Sequence, residues 1–273
     1  MPSEPISLVI PCRNEAESIG ALLDEVFGIP DRRLAEVIVV DDGSTDATPA
    51  LLAERAETEP RLLVLTHARA AGQSSAVRTG VRAADCAWVA TIDADGQNPP
   101  DQVPALIAAA AAAIAAGRRL GLVQGERGVR EDVSSRRWAS RAANAARAAV
   151  LGDGVRDSAC GLKLFRRQAY LELPYFEHIH RFLPAMMRRE GWDVVVVPVT
   201  HRSRQAGRSH YSNFSRALVG FVDLAGAAWL LRRRSPVLPA GGTYADTRAQ
   251  AAGAGQPAHS AFGEPEAAAG LHP

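Results

Sequence analysis

Along the first hundred residues, short apolar runs alternate with longer segments whose apolar positions recur every three or four residues. Ser7 to Pro11 (SLVIP) and Glu36 to Asp41 (EVIVVD) read as buried parallel strands, because a strand covered on both faces is apolar throughout. Between them Ile19, Leu22, Leu23 and Val26 share one face of a helix predicted from Ala16 to Phe27. Ser44, Thr45 and Asp46 offer N-caps ahead of a helix from Ala47 to Ala56. Arg61 to Leu65 predicts a third strand, Ser75 to Ala84 a third helix, and Ala87 to Ile92 (AWVATI) a fourth strand that ends directly at Asp93. This alternation predicts an α/β fold, a mostly parallel sheet with helices on both faces.

The pattern loosens in the second half. Ala105 to Ala116 predicts an Ala-rich helix ending at Gly117, and Val133 to Leu151 a helix carrying Arg136, Arg137, Arg141 and Arg147. Asp193 to Val199 (DVVVVPV) reads as a strand, with Pro198 pointing to a sheet edge. Ala217 to Leu231 is apolar but contains Asp223, falls short of the ~20 residues that cross a bilayer, and runs into Arg232, Arg233 and Arg234. It has two readings, a helix lying in a membrane interface and a helix buried against the domain. From about Pro236 to Pro273 the chain turns to Ala, Gly and Pro with little apolar pattern, and a disordered tail is expected.

Composition narrows the classes. The 273 residues are near the upper size for one hydrophobic core, and a net charge of +1 leaves phosphate affinity to local clusters and gives no sign of nucleic-acid binding. Cys12, Cys86 and Cys160 lie far apart with no CxxC pair, which disfavours a zinc site or disulfide framework and fits a reducing compartment. No basic stretch leads into a long apolar core at the start, so no signal peptide is expected.

Ligands of such sheets gather at the carboxyl ends of the strands, and the polar clusters of the first half all fall there. Asn14-Glu15 follows the first strand, Asp41-Asp42-Gly43-Ser44 the second and Asp93-Ala94-Asp95 the fourth. Two carboxylates at i and i+2 can approach one hard cation that bridges a diphosphate, because Mg²⁺ and Mn²⁺ favour oxygen ligands. Gln97 offers a further carbonyl oxygen. Capping explains Ser44 and Asp46, but not the doubled acid at Asp41 and Asp42, one of which can bond a base or ribose hydroxyl. Gly72 to Ser75 opens a helix, whose N–H groups can approach an anionic donor.

SLVIPCRNEAESI, VIVVDDGSTDAT, TIDADGQNPP and DSACGLKLFRR, in that order, resemble the family 2 glycosyltransferases. Within them the likeness is to the dolichol-phosphate mannose synthase-like group, which glycosylates polyprenyl phosphates, and it runs from about Ile6 to Arg234. The resemblance implies the Rossmann-like GT-A fold, with a C-terminal helical, amphipathic segment. It implies one domain over 1–235, nucleotide-binding to about 117 and acceptor-binding over 118–235. Pro11, Glu15 and Asp41 or Asp42 would contact the nucleoside, with Asn14, Gly72 and Ala94 nearby. Asp93, Asp95 and Gln97 would organise the metal, Mg²⁺ or Mn²⁺, and the diphosphate. Arg127, Arg130, Ser135 and Arg136 match the stretch that engages phosphate groups, and Asp157 stands where the family keeps an acid near the reacting centre. His201, Arg202, Gly207, Ser209 and Tyr211 match a late loop over the donor phosphates. Asp95, Asp157 and Arg130 are thus the catalytic candidates.

Two departures limit the carry-over. Gly96 and Asn98 replace the Leu and His of many relatives, and Gly72-Gln73 replaces a Lys or Asn-Phe-Gly-Lys context. Both lie near the donor, so mannose and guanine do not carry over.

The expected reaction moves a sugar with inversion from a GDP- or UDP-sugar to a polyprenyl phosphate, at the inner face of a cytoplasmic membrane met peripherally. The acceptor phosphate, with a second pKa of ~6, needs no strong base. A saccharide hydroxyl acceptor would need one, and stands as the alternative. A silent nucleotide-sugar-binding module is the non-enzyme alternative. A DxD phosphatase is disfavoured because the motif follows the fourth strand and Gln97 replaces the Thr or Val that such enzymes need. A dinucleotide oxidoreductase is disfavoured because PCRNEAES stands where GxGxxG would.

Overall fold

The computed structural model of the chain describes residues 4–128, 150–202 and 213–233, with side chains of the last stretch from residue 220. All of these lie within Met1–Arg234, one of two units into which the chain divides, the other being Ser235–Pro273. The tail expected from 236 and most of the helix expected from Val133 to Leu151 lie outside the described residues.

The strands are β1 (Ile6–Cys12), β2 (Leu34–Asp41), β3 (Leu62–Thr66), β4 (Trp88–Thr91), β5 (Leu120–Arg127), β6 (Lys163–Arg166) and β7 (Asp193–Val199). They form one sheet in the order β3-β2-β1-β4-β6-β5-β7. Only β6 runs against its neighbours, pairing antiparallel with β4 and β5, so the sheet is mostly parallel as expected. The helices are α1 (Ile19–Phe27), α2 (Thr48–Thr58), α3 (Gln73–Ala83), α4 (Val103–Ala115), α5 (Arg167–Leu171), α6 (Leu183–Arg189) and α7 (Asn213–Arg232).

Period-2 alternation in the strands feeds two cores, one on each face. Ile6, Leu8 and Ile10 of β1 join Val37 and Val39 of β2, Leu22 and Leu23 of α1 and Leu106 of α4 on one side. Val9, Ile38 and Val40 pack with Val77 and Val81 of α3 and with Met186 and Met187 of α6 on the other. Gly80 lets α3 sit close on the sheet, because a Cβ there would overlap the Val9 side chain.

Two strands escaped the pattern. β5 carries Gly121 and Gly125, which weaken a strand signal yet are needed, since side chains there would strike Trp192 and the Leu162 carbonyl. β6 is only four residues long and includes the charged Lys163. Strand β7 has the expected bounds and lies at the sheet edge, where Pro198 is tolerated. Helix α1 begins three residues after the predicted Ala16, because the chain from Asn14 to Ser18 is bonded into a turn.

Helix α7 packs on the domain by one face, as the second reading of its segment expects, and leaves the other face exposed. Ala227 is buried and Leu224 and Leu231 pack on the second core, whereas Phe221, Val222 and Trp229 are 70%, 63% and 57% exposed. Among the described residues no helix is long and apolar enough to cross a membrane.

Candidate active site

The carboxyl ends of β1, β2 and β4 open on a cavity of about 650 Å³, lined among others by Pro11, Glu15, Asp42, Gly72, Asp93, Ala94 and Asp95. Local chemistry builds this rim. Asn14 adopts a left-handed backbone with φ 54°, accepts the Thr45 N–H at 2.8 Å and donates its own N–H to Ser44 Oγ at 2.9 Å. The Glu15 N–H donates to Thr48 Oγ1 at 2.9 Å, and the Ala16 N–H to Asp46 at 3.2 Å. The loops after β1 and β2 are thereby stitched together, with Glu15 left on the cavity wall.

The doubled acid divides its work. Asp41 turns back to accept the Ser44 N–H at 3.0 Å and the Ser44 hydroxyl, and it does not line the cavity. Asp42 accepts the N–H groups of Ala71 and Gly72, each at 2.8 Å, and faces His67 Nδ1 at 2.7 Å. Burial alone would raise its pKa, but the bonds from His67, Ala71 and Gly72 outweigh burial and hold Asp42 below the usual carboxylate range. The Gly72 N–H, expected near the donor, is therefore committed to Asp42. Gly72 itself, with φ 89°, makes the turn into α3.

Asp93 and Asp95 stand together past β4. Gln73 Nε2 donates to Asp93 Oδ1 at 2.8 Å, and Asp95 Oδ1 accepts the Gln97 N–H at 3.1 Å. Burial and the neighbouring Asp95 charge push Asp93 up to about 6, against the opposing pull of Lys163 and Arg127. A Cβ at Gly161 would overlap the Asp93 carboxylate, so glycine is what lets the loop before β6 pass so close. Lys163 is buried, donates to the carbonyls of Ser158 (3.0 Å) and Cys160, and is lowered by burial.

Arg127 and Asp157 form a two-point pair, with Nε to Oδ2 at 2.6 Å and Nη2 to Oδ1 at 2.9 Å. Burial works against the charged Asp157, yet Arg127 outweighs it and keeps the carboxyl low. Gln97, His201 and Arg202 are brought together but not onto the cavity wall. The Gln97 carbonyl accepts from His201 Nδ1 at 2.9 Å and from the Arg202 N–H at 2.8 Å, while the Arg202 guanidinium bonds Glu25 at 2.7 Å. Arg130, Ser135, Arg136, Gly207, Ser209 and Tyr211 lie outside the described residues.

The cavity is also lined by residues to which sequence reasoning assigns no role: Glu177, His178, His180 and Arg181. Two histidines and an arginine within HIHR are a local signal, but nothing along the chain places them in the cavity that Asp93 lines. His178 Nδ1 meets Asp223 of α7 at 2.8 Å, and His180 Nδ1 meets Ser74 of α3 at 2.7 Å.

The family model described as "Glycosyl transferase family 2" matches residues 7–173. The dodecaprenyl-phosphate galacturonate synthase of Rhizobium johnstonii is 32% identical over 84% of this chain and 68% of its own length. The undecaprenyl-phosphate 4-deoxy-4-formamido-L-arabinose transferase of Pseudomonas fluorescens is 33% identical over 77% of this chain, which spans only 61% of that relative. Among solved structures, glucosyl-3-phosphoglycerate synthase from Mycobacterium tuberculosis, in complex with Mn²⁺, UDP and glucosyl-3-phosphoglycerate, superposes with a TM-score of 0.61. That match covers 84% of this chain and 80% of the other at 16% identity, a likeness of fold.

Proposed function

The chain belongs to glycosyl transferase family 2, and on that premise we propose that it moves a sugar from a nucleotide diphosphate donor to a polyprenyl phosphate, with inversion. The observation that carries this is the cavity at the strand ends, where Asp93 and Asp95 face the start of α3 and the Glu15 and Asp42 wall. The polyprenyl phosphate acceptor is supported by the names of the two relatives, both of which act on such lipids.

Asp93 and Asp95 are the residues that would hold a divalent cation. Burial, and after it the neighbouring Asp95 charge, push Asp93 up to about 6, and a cation between the two carboxylates would offset both, so this oxygen donor set fits Mg²⁺ or Mn²⁺. When bound, the ion offsets charge building on the departing diphosphate. Pro11, Glu15 and Asp42 supply the wall for the nucleoside. As the bond from the anomeric carbon to the diphosphate oxygen breaks, an acceptor phosphate oxygen bonds the opposite face of that carbon.

That phosphate, with a second pKa of ~6, is already a largely ionised nucleophile at neutral pH. Asp157, held low and engaged with Arg127, is a weak base and serves to orient the Arg127 guanidinium. The exposed Phe221, Val222 and Trp229 of α7, followed by Arg232 and Arg233, suit peripheral contact with an anionic membrane surface.

The test is a screen of UDP- and GDP-sugars against short polyprenyl phosphates with Mg²⁺ or Mn²⁺, reading radiolabel in the lipid phase. Transfer into lipid supports the reading. Faster transfer to a water-soluble saccharide would replace the acceptor and leave the sugar transfer standing.

A further inference from the structure

The Asp93 carboxylate is held by two residues from outside its own loop. Gln73 Nε2 donates to its Oδ1 at 2.8 Å, and among the described residues no other hydrogen bond reaches this carboxylate. Gly161 packs against it from the loop before β6. A Cβ added at Gly161 would stand almost equally close to Oδ1, Cγ and Oδ2, so this residue backs the carboxylate as a whole. Such packing resists rotation of the group, and only the Gln73 bond singles out one oxygen.

The backbone that carries Gln73 is itself pinned. Gln73 opens α3 directly after Gly72, whose φ of 89° turns the chain into the helix. Asp42 accepts the N–H groups of Ala71 and Gly72, each at 2.8 Å, and meets His67 Nδ1 at 2.7 Å. His67 Nε2 in turn meets Thr79 Oγ1 of α3 at 2.9 Å, so Asp42 and His67 brace both the approach to Gln73 and the helix that follows. Beside Gln73, Ser74 Oγ lies 2.7 Å from His180 Nδ1. One side-chain amide thus reaches from a fixed helix start to Asp93, and Gln73 lines the main cavity together with Asp93 and Asp95. A carboxylate has about four lone-pair sites, of which this bond takes one, and the others stay free for an ion.

We propose that Gln73 is a positioning residue for the cation: its amide holds Oδ1 of Asp93 so that the free side of the carboxylate is turned to the ion it shares with Asp95. This rests on the reading of Asp93 and Asp95 as cation ligands. Gln73 acts through Asp93, as a donor behind a metal-bound carboxylate does, and does not itself touch the ion. Without it the carboxylate is ordered only as the ion binds, and affinity falls.

The experiment is Mn²⁺ titration of the full chain, alone and with UDP or GDP, followed by electron paramagnetic resonance, with melting temperatures taken without the ion. Gln73→Met keeps the length of the side chain and removes the donor. It is expected to bind Mn²⁺ about 10-fold more weakly, to change the spectrum of the bound ion and to keep the parent's melting temperature. Gln73→Ala gives the same result, which covers the case in which Gln73→Met fails to fold. Equal Mn²⁺ affinity in parent and variants, or a loss matched by a fall in melting temperature in both variants, overturns the positioning role. No Mn²⁺ binding by the parent, with or without nucleotide, overturns the reading of the cation site and the role of Gln73 with it.

Discussion

His178 Nδ1 stands 2.8 Å from Asp223 Oδ2, which ties the cavity wall to the helix whose outer face exposes Phe221, Val222 and Trp229. His178 holds a left-handed backbone with φ 63°, so its place on the wall is set by the turn as well as by the pair. Apart from this pair, the polar tie of α7 to the domain among the described residues is Arg189 Nε donating to the Leu230 carbonyl at 3.1 Å.

Asp223→Ala is therefore expected to loosen α7 before it unfolds the domain. Both partners are part-buried, and a close pair of this kind is worth up to about 1 kcal/mol. Hydrogen exchange should quicken severalfold in α7 amides and stay unchanged in β1 and β2. Equal protection of α7 in both proteins would show that its apolar contacts alone hold it.

Asp95→Ala should lower turnover by at least about 100-fold, the scale of losing a group aimed at developing charge. Chelation of divalent cations should do the same to the parent. A strand-end acid adds little to the core, so the melting temperature should hold. Full activity in EDTA would remove the metal from the mechanism.

Asp93→Asn should stabilise the cation-free protein in a pH-dependent way. The folded pKa, about 6, lies above the ordinary aspartate value of 3.8. The folded state thus binds the extra proton between those values, and stability falls as pH rises through that window. The asparagine variant escapes this loss. Its advantage should be absent near pH 4 and reach about 1–3 kcal/mol above pH 7, at about 1.4 kcal/mol per pKa unit. Thermal melts at both pH values check it, and an advantage that is constant with pH would contradict the sign.

Gly161→Ala should push the Asp93 carboxylate out of place, because the added methyl has no room beside it. Overpacking of this kind costs about 1–3 kcal/mol. Mn²⁺ binding should weaken more than the melting temperature suggests. Unchanged Mn²⁺ affinity would mean that the loop before β6 gives way instead.

The sequence by itself determined the four parallel strands β1 to β4, the helices between them, and the strand-end acids Asp42, Asp93 and Asp95. These are local facts: apolar period, caps and turns act within a few residues, and a parallel sheet gathers its strand ends at one edge whatever the loops do. The antiparallel β6 and the glycine-bearing β5 were not legible, because what keeps them in the sheet is close approach to Trp192, Leu162 and Asp93, far off along the chain. The same holds for the division of labour at Asp41 and Asp42. Adjacent side chains on a strand point to opposite sides, but only the folded loop shows that Asp42 holds Ala71 and Gly72 while Asp41 holds Ser44. His180 shows the limit most plainly. Its partner Ser74 is 106 residues away, and a hydrogen bond over that separation exists only once α3 and the segment before α6 have packed on the same face of the sheet.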